Sequence, residues 1–224
     1  MTDSNLEPIV YFGQFGEYQI TQRDRLGVVV YRAGLAIAAL SFAVGSGLAL
    51  WQGNDPAVQA AITPLYFCFL LALGVSLLTI HIYMASLHRV LQTFWLVGTV
   101  AAIDLVLQHP EPLAVTIYQN PGTIWSIGFA FAALTGIYFK EAFCFDRLET
   151  KILTPIVPLL LLGHLWDIMP IATERGLLAL WAVFFLVFAA RKVIQEIPPD
   201  IGDKSVFEYL KQQRQAGTPP ETTP

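Results

Sequence analysis

Six stretches of the chain contain no Asp, Glu, Lys or Arg: Ala33–Trp51, Ala57–Leu87, Val90–Ile103, Leu113–Phe139, Ile152–Trp166 and Leu177–Ala190. Runs of this kind, rich in Leu, Ala, Val, Ile and Phe, have no water-compatible face. A hydrocarbon core of about 30 Å is crossed by about 20 helical residues at roughly 1.5 Å each, so the first, second and fourth runs span a bilayer unaided. The third, fifth and sixth are completed by residues near their ends: Arg89 and Asp104, then Asp167, then Arg191 and Lys192, whose stems can snorkel. Only helices and closed barrels satisfy the backbone in lipid, and the alternating segments of barrel strands are missing. The fold class is therefore all-α, a polytopic bundle of six transmembrane helices with short polar ends.

Turn-rich clusters at Gln52–Pro56, His109–Pro112 and Asn120–Gly122 separate the runs. The expected organisation is an N-terminal segment over 1–26 and a membrane domain over 27–195, with spans near 30–51, 63–86, 90–107, 120–139, 152–171 and 177–195. A tail over 196–224 follows. Sidedness comes from the basic residues. All 13 except Arg175 fall in segments on one side of such a bundle, which predicts that both termini are cytoplasmic. The first 20 residues hold Asp3, Glu7 and Glu17, no Lys or Arg and no apolar core, so no cleaved signal is expected and the first span serves as the insertion signal.

Composition narrows the function classes. The chain is 55% hydrophobic and 13% charged with a net charge of -4, which excludes a broad basic surface for nucleic acid. Cys68 and Cys144 are too few for a disulfide framework or a four-thiolate metal site. No P-loop, dinucleotide fingerprint, Gly-x-Ser-x-Gly or His-Glu-x-x-His is present, so nothing in the sequence compels an enzyme, and no cofactor is expected.

At the ends, Val10–Ile20 is aromatic and Gly-rich and reads as an interfacial anchor or a partner-binding arm. Ser205-Val206-Phe207-Glu208 has the capping-box pattern, which predicts a short amphipathic helix over 205–214 that rests on headgroups or docks on a partner. Residues 216–224 hold Gly217, Pro219, Pro220 and Pro224 and too little apolar surface to fold, so disorder is expected there.

Ionisable residues inside the bilayer are costly and mark candidate sites. Asp104 lies roughly 22 Å above Arg89, and His164 and Asp167 lie roughly 20 and 24 Å above Lys151, so all three share one layer. His164 and Asp167 also share a helix face. An Asp104–His164–Asp167 cluster would bind a cation or relay protons; the alternative is local pairing near the interface, with Asp104 facing water. His81 and His88, at the cytoplasmic end of the second span, are candidate single axial ligands for haem or chlorophyll, or hydrogen-bonded interfacial histidines. Lys140, Glu141, Phe143, Cys144 and Phe145 read as a cytoplasmic interaction loop whose aromatics dip into the interface. Ser41, Gly45 and Ala49, and Gly128, Ala132 and Gly136, recur every four residues as smooth ridges for close helix packing.

The runs His81–Gln92, Lys140–Phe145 and Pro158–His164 resemble those of an uncharacterised family of integral membrane proteins found chiefly in cyanobacteria. The family is a domain of unknown function and brings no catalytic residues. The resemblance implies a plasma or thylakoid membrane and partners among photosynthetic complexes. The leading expectation is thus a non-enzymatic assembly, stabilisation or scaffold factor for membrane complexes. The alternatives are a small proton- or cation-coupled carrier using the Asp-His-Asp cluster, and a single-His haem or chlorophyll binder.

Overall fold

The computed structural model describes residues 10–216 apart from Tyr83 and the side chains of Arg214 and Ala216. A small antiparallel hairpin opens it, β1 Val10–Gly13 and β2 Gly16–Gln19, with Tyr11 opposite Tyr18 and their rings stacked at 5.6 Å. Then come α1 Gln22–Gln52, α2 Pro56–Thr79, α3 Ala85–Gln108, the short α4 Leu113–Gln119, α5 Ile124–Phe145, α6 Leu148–Leu165, α7 Ile171–Ile194, the one-turn α8 Pro198–Ile201 and α9 Ser205–Ala216. Six helices among the described residues are long and apolar enough to cross a membrane: α1, α2, α3, α5 with the 3-10 turn before it, α6 and α7.

Local chemistry sets the helix ends. α1 starts well before its apolar run because Thr21 and Asp24 form a capping box, the Thr21 hydroxyl receiving the Asp24 N–H at 3.2 Å and the Asp24 carboxylate receiving the Thr21 N–H at 2.8 Å. Asp55 caps α2 through the Ala57 N–H at 2.7 Å, with Pro56 at the first helical position, where its missing N–H costs nothing. The run Leu113–Phe139 is not one helix. Asn120 and Pro121 break it into α4 and the span of α5.

In the bundle, α1 packs between α2 and α7, α5 packs between α3 and α6, and α6 against α7 links the two halves. Where these halves meet, Phe42, Phe69, Phe131, Trp181 and Phe185 form a knot of rings, with Phe42 to Trp181 at 4.4 Å and Phe69 to Phe131 at 5.7 Å. Parts of the small-residue ridges serve internal contacts, while Ala132 is exposed. Ser41 and Gly45 lie buried where α1 meets α2, and Gly136 faces Leu91 of α3. At Gly98 a Cβ would run into the backbone of Ala130, so the α3–α5 crossing needs glycine there. Outward side chains such as Leu40, Leu71, Val100 and Val187 are exposed and apolar, as a lipid-facing surface requires.

Within Val10–Ile20, the stretch read as an interfacial anchor or a partner-binding arm, residues 10–19 form a hairpin that packs on the start of α9. The Gln14 N–H donates to Asp203 at 2.7 Å, the Phe15 N–H donates to the Ser205 hydroxyl at 3.1 Å, and the Phe15 ring stacks on Tyr209 at 4.0 Å. The two terminal segments therefore cover one end of the bundle together, and Lys204 joins them to α1 by pairing with Asp24 at 2.8 Å. The disordered end expected over 216–224 has its first residue, Ala216, in α9, and the rest of it, from Gly217 on, lies outside the described residues, as do residues 1–9 of the N-terminal segment.

Candidate functional site

At the end of the bundle away from the terminal segments lies a cavity of about 770 Å³. Its walls are the last turn of α1, the first turns of α2, the short α4, the start of α5, the end of α6 and the start of α7. α4 is decisive in making it, because its seven residues lie between α3 and α5 and present Leu113, Ile117 and Tyr118 to the cavity. The Leu113 N–H, orphaned at the start of α4, donates to the Thr63 hydroxyl of α2 at 3.1 Å.

The lining is mainly apolar, including Ile62, Ile117, Ile127, Phe131 and Leu160, with polar groups gathered at the rim. His164 Nδ1 lies 3.0 Å from a Glu174 carboxylate oxygen, and the Tyr118 ring stacks on the imidazole at 5.3 Å. An ionised carboxylate only accepts, so Nδ1 carries the proton in this bond. Arg175 donates to the Leu50 carbonyl at the end of α1, where helix carbonyls lack intrahelical partners. Gln59 donates to the Gly53 carbonyl at 2.9 Å. Deeper in, Tyr66 lines the cavity, and its hydroxyl is closed off from solvent with no hydrogen-bond partner among the described residues. A buried hydroxyl left in that state costs about 1–3 kcal/mol.

Asp104, His164 and Asp167 are not brought together. α5 stands between α3 and α6, and α3 is the least buried span, 17% against 44% for the α5 span, so its polar face turns outward. Asp104 is exposed there and receives a hydrogen bond from Gln108 at 2.7 Å. Asp167 follows the end of α6 in a left-handed turn at φ 52, which takes it off the helical face it was expected to share with His164. The partner of His164 is Glu174. Sequence offered a signal for this: His164 in the last turn of α6 and Glu174 in the first turn of α7 stand on either side of the short 166–170 turn, as neighbours in an antiparallel helical hairpin do. No group of three His, Cys, Asp or Glu side chains able to hold a metal ion occurs among the described residues.

The two histidines read as candidate axial ligands, His81 and His88, sit at the terminal end. His88 Nε2 lies 2.6 Å from the Leu77 carbonyl and 3.1 Å from Gln92 Nε2, so ligation of a metal through Nε2 would forfeit these bonds. His81 lies in the α2–α3 connection, where burial lowers its imidazole below the ordinary value and favours the neutral form.

The segment Lys140–Phe145 is not a loop. It completes α5, and Glu141 points inward to a buried charge cluster that sequence reasoning missed. The Lys192 ammonium, fully buried, meets Glu141 at 2.6 Å and also pairs with Asp200 of α8. Arg32 of α1 grips Asp200 at 2.7 Å and the carbonyls of Gln195 and Glu196. Tyr31 donates to Glu141 at 3.2 Å, and Lys140 reaches the same carboxylate at 2.9 Å. The Phe145 ring lies under Lys192, with the ammonium 4.2 Å from its centroid. Phe143 and Cys144 remain exposed. Read singly, Arg32 and Lys192 were topological charges. The signal that they pair was Asp200, an acid placed by the Pro198-Pro199 turn just beyond the last span.

Comparison with known proteins agrees with this architecture. Residues 75–209, more than half of the chain, match the family described as uncharacterized integral membrane protein, DUF2301. The match starts within α2, takes in α3 to α8 and ends in α9, so it includes His164 and Glu174. The chain is also 28% identical over 185 residues to an uncharacterized protein of Haemophilus influenzae, covering 83% of this chain and 92% of the relative. No solved structure matches the chain. The chain is therefore an integral membrane protein of the DUF2301 family.

Proposed function

We propose that the protein is a non-enzymatic, membrane-embedded binding protein that takes a small, mainly apolar molecule into the cavity at the far end of its bundle. The cavity carries the reading: about 770 Å³ falls within the ~300–1,000 Å³ of small-molecule sites, and an apolar wall with a few fixed polar groups is the usual make-up of such sites. The distribution of basic residues supports cytoplasmic termini, which places the cavity mouth on the opposite, non-cytoplasmic face. The relative from Haemophilus influenzae leads us to take a bacterial plasma membrane rather than a thylakoid as the setting.

An assembly or scaffold role draws on less, because no observation identifies a partner for it, and of its small-residue ridges the α1 ridge packs inside the bundle at Gly45. A carrier function is compatible with the cavity, with His164 and Glu174 in place of the Asp-His-Asp cluster. The binding role is tested by equilibrium dialysis of 2,3-dimethylnaphthalene against the purified full chain in detergent, beside Ile117→Trp and Ile62→Trp, which fill the cavity. Saturable binding that falls at least tenfold in either folded variant is expected. Absence of saturable binding, or binding unchanged in both, overturns the reading.

A further inference from the structure

We infer that His164 Nε2 is a hydrogen-bond acceptor open at the cavity mouth, and that the occupant is an uncharged lipophile whose polar end has a proton to donate, a hydroxyl or an N–H group; this rests on the binding role proposed above. Glu174 fixes the tautomer. Its carboxylate takes the Nδ1 proton at 3.0 Å, so a ring with one proton keeps its lone pair on Nε2. Tyr118 stacks on the imidazole at 5.3 Å and holds the plane of the ring. Nε2 makes no hydrogen bond among the described residues and, unlike the Tyr66 hydroxyl, is not closed off. The second carboxylate oxygen of Glu174 is open in the same way, and His164, Glu174 and Tyr118 all line the cavity.

Charge and place narrow the occupant. Among the described residues, the charged ones that line the cavity are Glu174 and Arg175, whose charges cancel, so the rim has no net pull on an anion or a cation. Below the rim, Ile62, Ile127, Phe131 and Leu160 supply no counter-ion, and an ionised group among them would lose its water with nothing to replace it. The occupant is therefore neutral. His164 stands in the last turn of α6 and Glu174 in the first turn of α7, so the polar end lies at the mouth and the apolar body points inward. Arg175, a donor at the rim, is exposed to water and bound to the Leu50 carbonyl, whereas the side chains of His164 and Glu174 are largely buried. A hydrogen bond is stronger where the surroundings are dry, so the sheltered acceptors set the preference, and they call for a donor.

The test uses a donor and a methyl-blocked probe of each kind, 2-naphthol with 2-methoxynaphthalene and indole with 1-methylindole, dialysed against the full chain and His164→Asn in detergent. Asn places an amide N–H where Nδ1 stood, which keeps the bond to Glu174, and puts no acceptor where Nε2 stood. Comparing one probe between two proteins cancels its partition into detergent. A donor probe, 2-naphthol for a hydroxyl site or indole for an N–H site, should bind about fivefold more weakly to His164→Asn, while its blocked partner binds equally to both proteins. Nitrogen NMR of the unaltered chain gives a readout that does not depend on the variant folding: the His164 Nε2 resonance should move toward that of a protonated nitrogen with the donor probe and stay in place with the blocked one. Equal weakening of donor and blocked probes, no weakening of either donor, or an Nε2 resonance indifferent to both donors overturns this inference and leaves the binding role intact. If no probe binds saturably, 2,3-dimethylnaphthalene included, the binding role falls and this inference with it.

Discussion

The His164 imidazole and the Glu174 carboxylate meet 3.0 Å apart across the turn between α6 and α7, their side chains only 19% and 14% exposed. This contact orients a titratable pair on the cavity rim and joins α6 to α7 across the turn, beside the packing of Met169 on Gly163. Removing His164 leaves a half-buried carboxylate without its donor. His164→Ala is therefore expected to cost about 1–3 kcal/mol, while Glu174→Gln, whose amide oxygen still accepts the Nδ1 proton, costs less. Unfolding midpoints of the purified variants in mixed detergent check the order, and a larger loss in Glu174→Gln would reverse this assignment of the bond.

The Glu141–Lys192–Asp200–Arg32 cluster fastens α1, α5, α7 and α8 at the terminal end. Glu141→Ala strands the buried Lys192 ammonium beside a single acid and should destabilise by about 3–5 kcal/mol. Glu141→Leu combined with Lys192→Met removes both charges together. The double variant is expected to be less destabilised than the sum of the two single changes, and strict additivity would show that the pair is not coupled.

Gly98 allows α3 to approach the Ala130 backbone of α5. Gly98→Val should force the helices apart and lose about 1–3 kcal/mol by overpacking. The same substitution at Gly47, where a Cβ meets nothing within 4 Å, serves as the control and should leave the unfolding midpoint nearly unchanged.

Asp203 anchors the N-terminal hairpin to the start of α9. Burial alone would raise its carboxyl, but the hydrogen bonds from the Ser205 hydroxyl and the Gln14 and Ser205 N–H groups outweigh it and hold the group below its ordinary value. A carboxyl lowered in the folded state stabilises above its ordinary value, and that contribution is lost as the pH falls through the folded value. The hairpin should thus loosen below about pH 4, where Asp203 begins to protonate. Near-ultraviolet dichroism of Tyr11, Tyr18 and Tyr209 should weaken there, and Asp203→Asn should show the weaker signal already at neutral pH. A signal indifferent to both would remove Asp203 from this role.

Topology is open to direct measurement. Reporter fusions after Ala57, Leu113 and Thr173 are expected on the non-cytoplasmic side, and those after Lys151 and Lys204 on the cytoplasmic side. Termini on opposite sides would contradict the six-span arrangement.

The spans were legible in the sequence because lipid leaves the backbone one local solution: a charge-free run such as Ala57–Leu87 or Leu177–Ala190 must be helical wherever its neighbours lie. The capping box at Thr21 and Asp24 and the break at Asn120-Pro121 were local in the same sense, each depending on residues within one turn, whereas the Ser205 hydroxyl pairs with Asp203 and the Phe15 N–H, and the Glu208 N–H donates to the Lys204 carbonyl. The hairpin was not read, since four-residue strands take their stability from Asp203, Ser205 and Tyr209 at the far end of the chain.

Which polar groups meet was decided by the tertiary structure alone. Equal depth put Asp104 and His164 in one layer, but depth says nothing of rotation about a helix axis or of which helices are neighbours. α5 fills the place between α3 and α6, and Asp104 faces outward. The pairing of Lys192 with Glu141 and Asp200, and the placing of Tyr66 in the cavity wall, likewise follow from helix order and azimuth. Every apolar face is equally content against lipid or protein, so hydropathy carries no signal for that choice. Close packing at residues such as Gly98 and Gly34, and the pairing of charges that cannot stay in the membrane alone, make it instead.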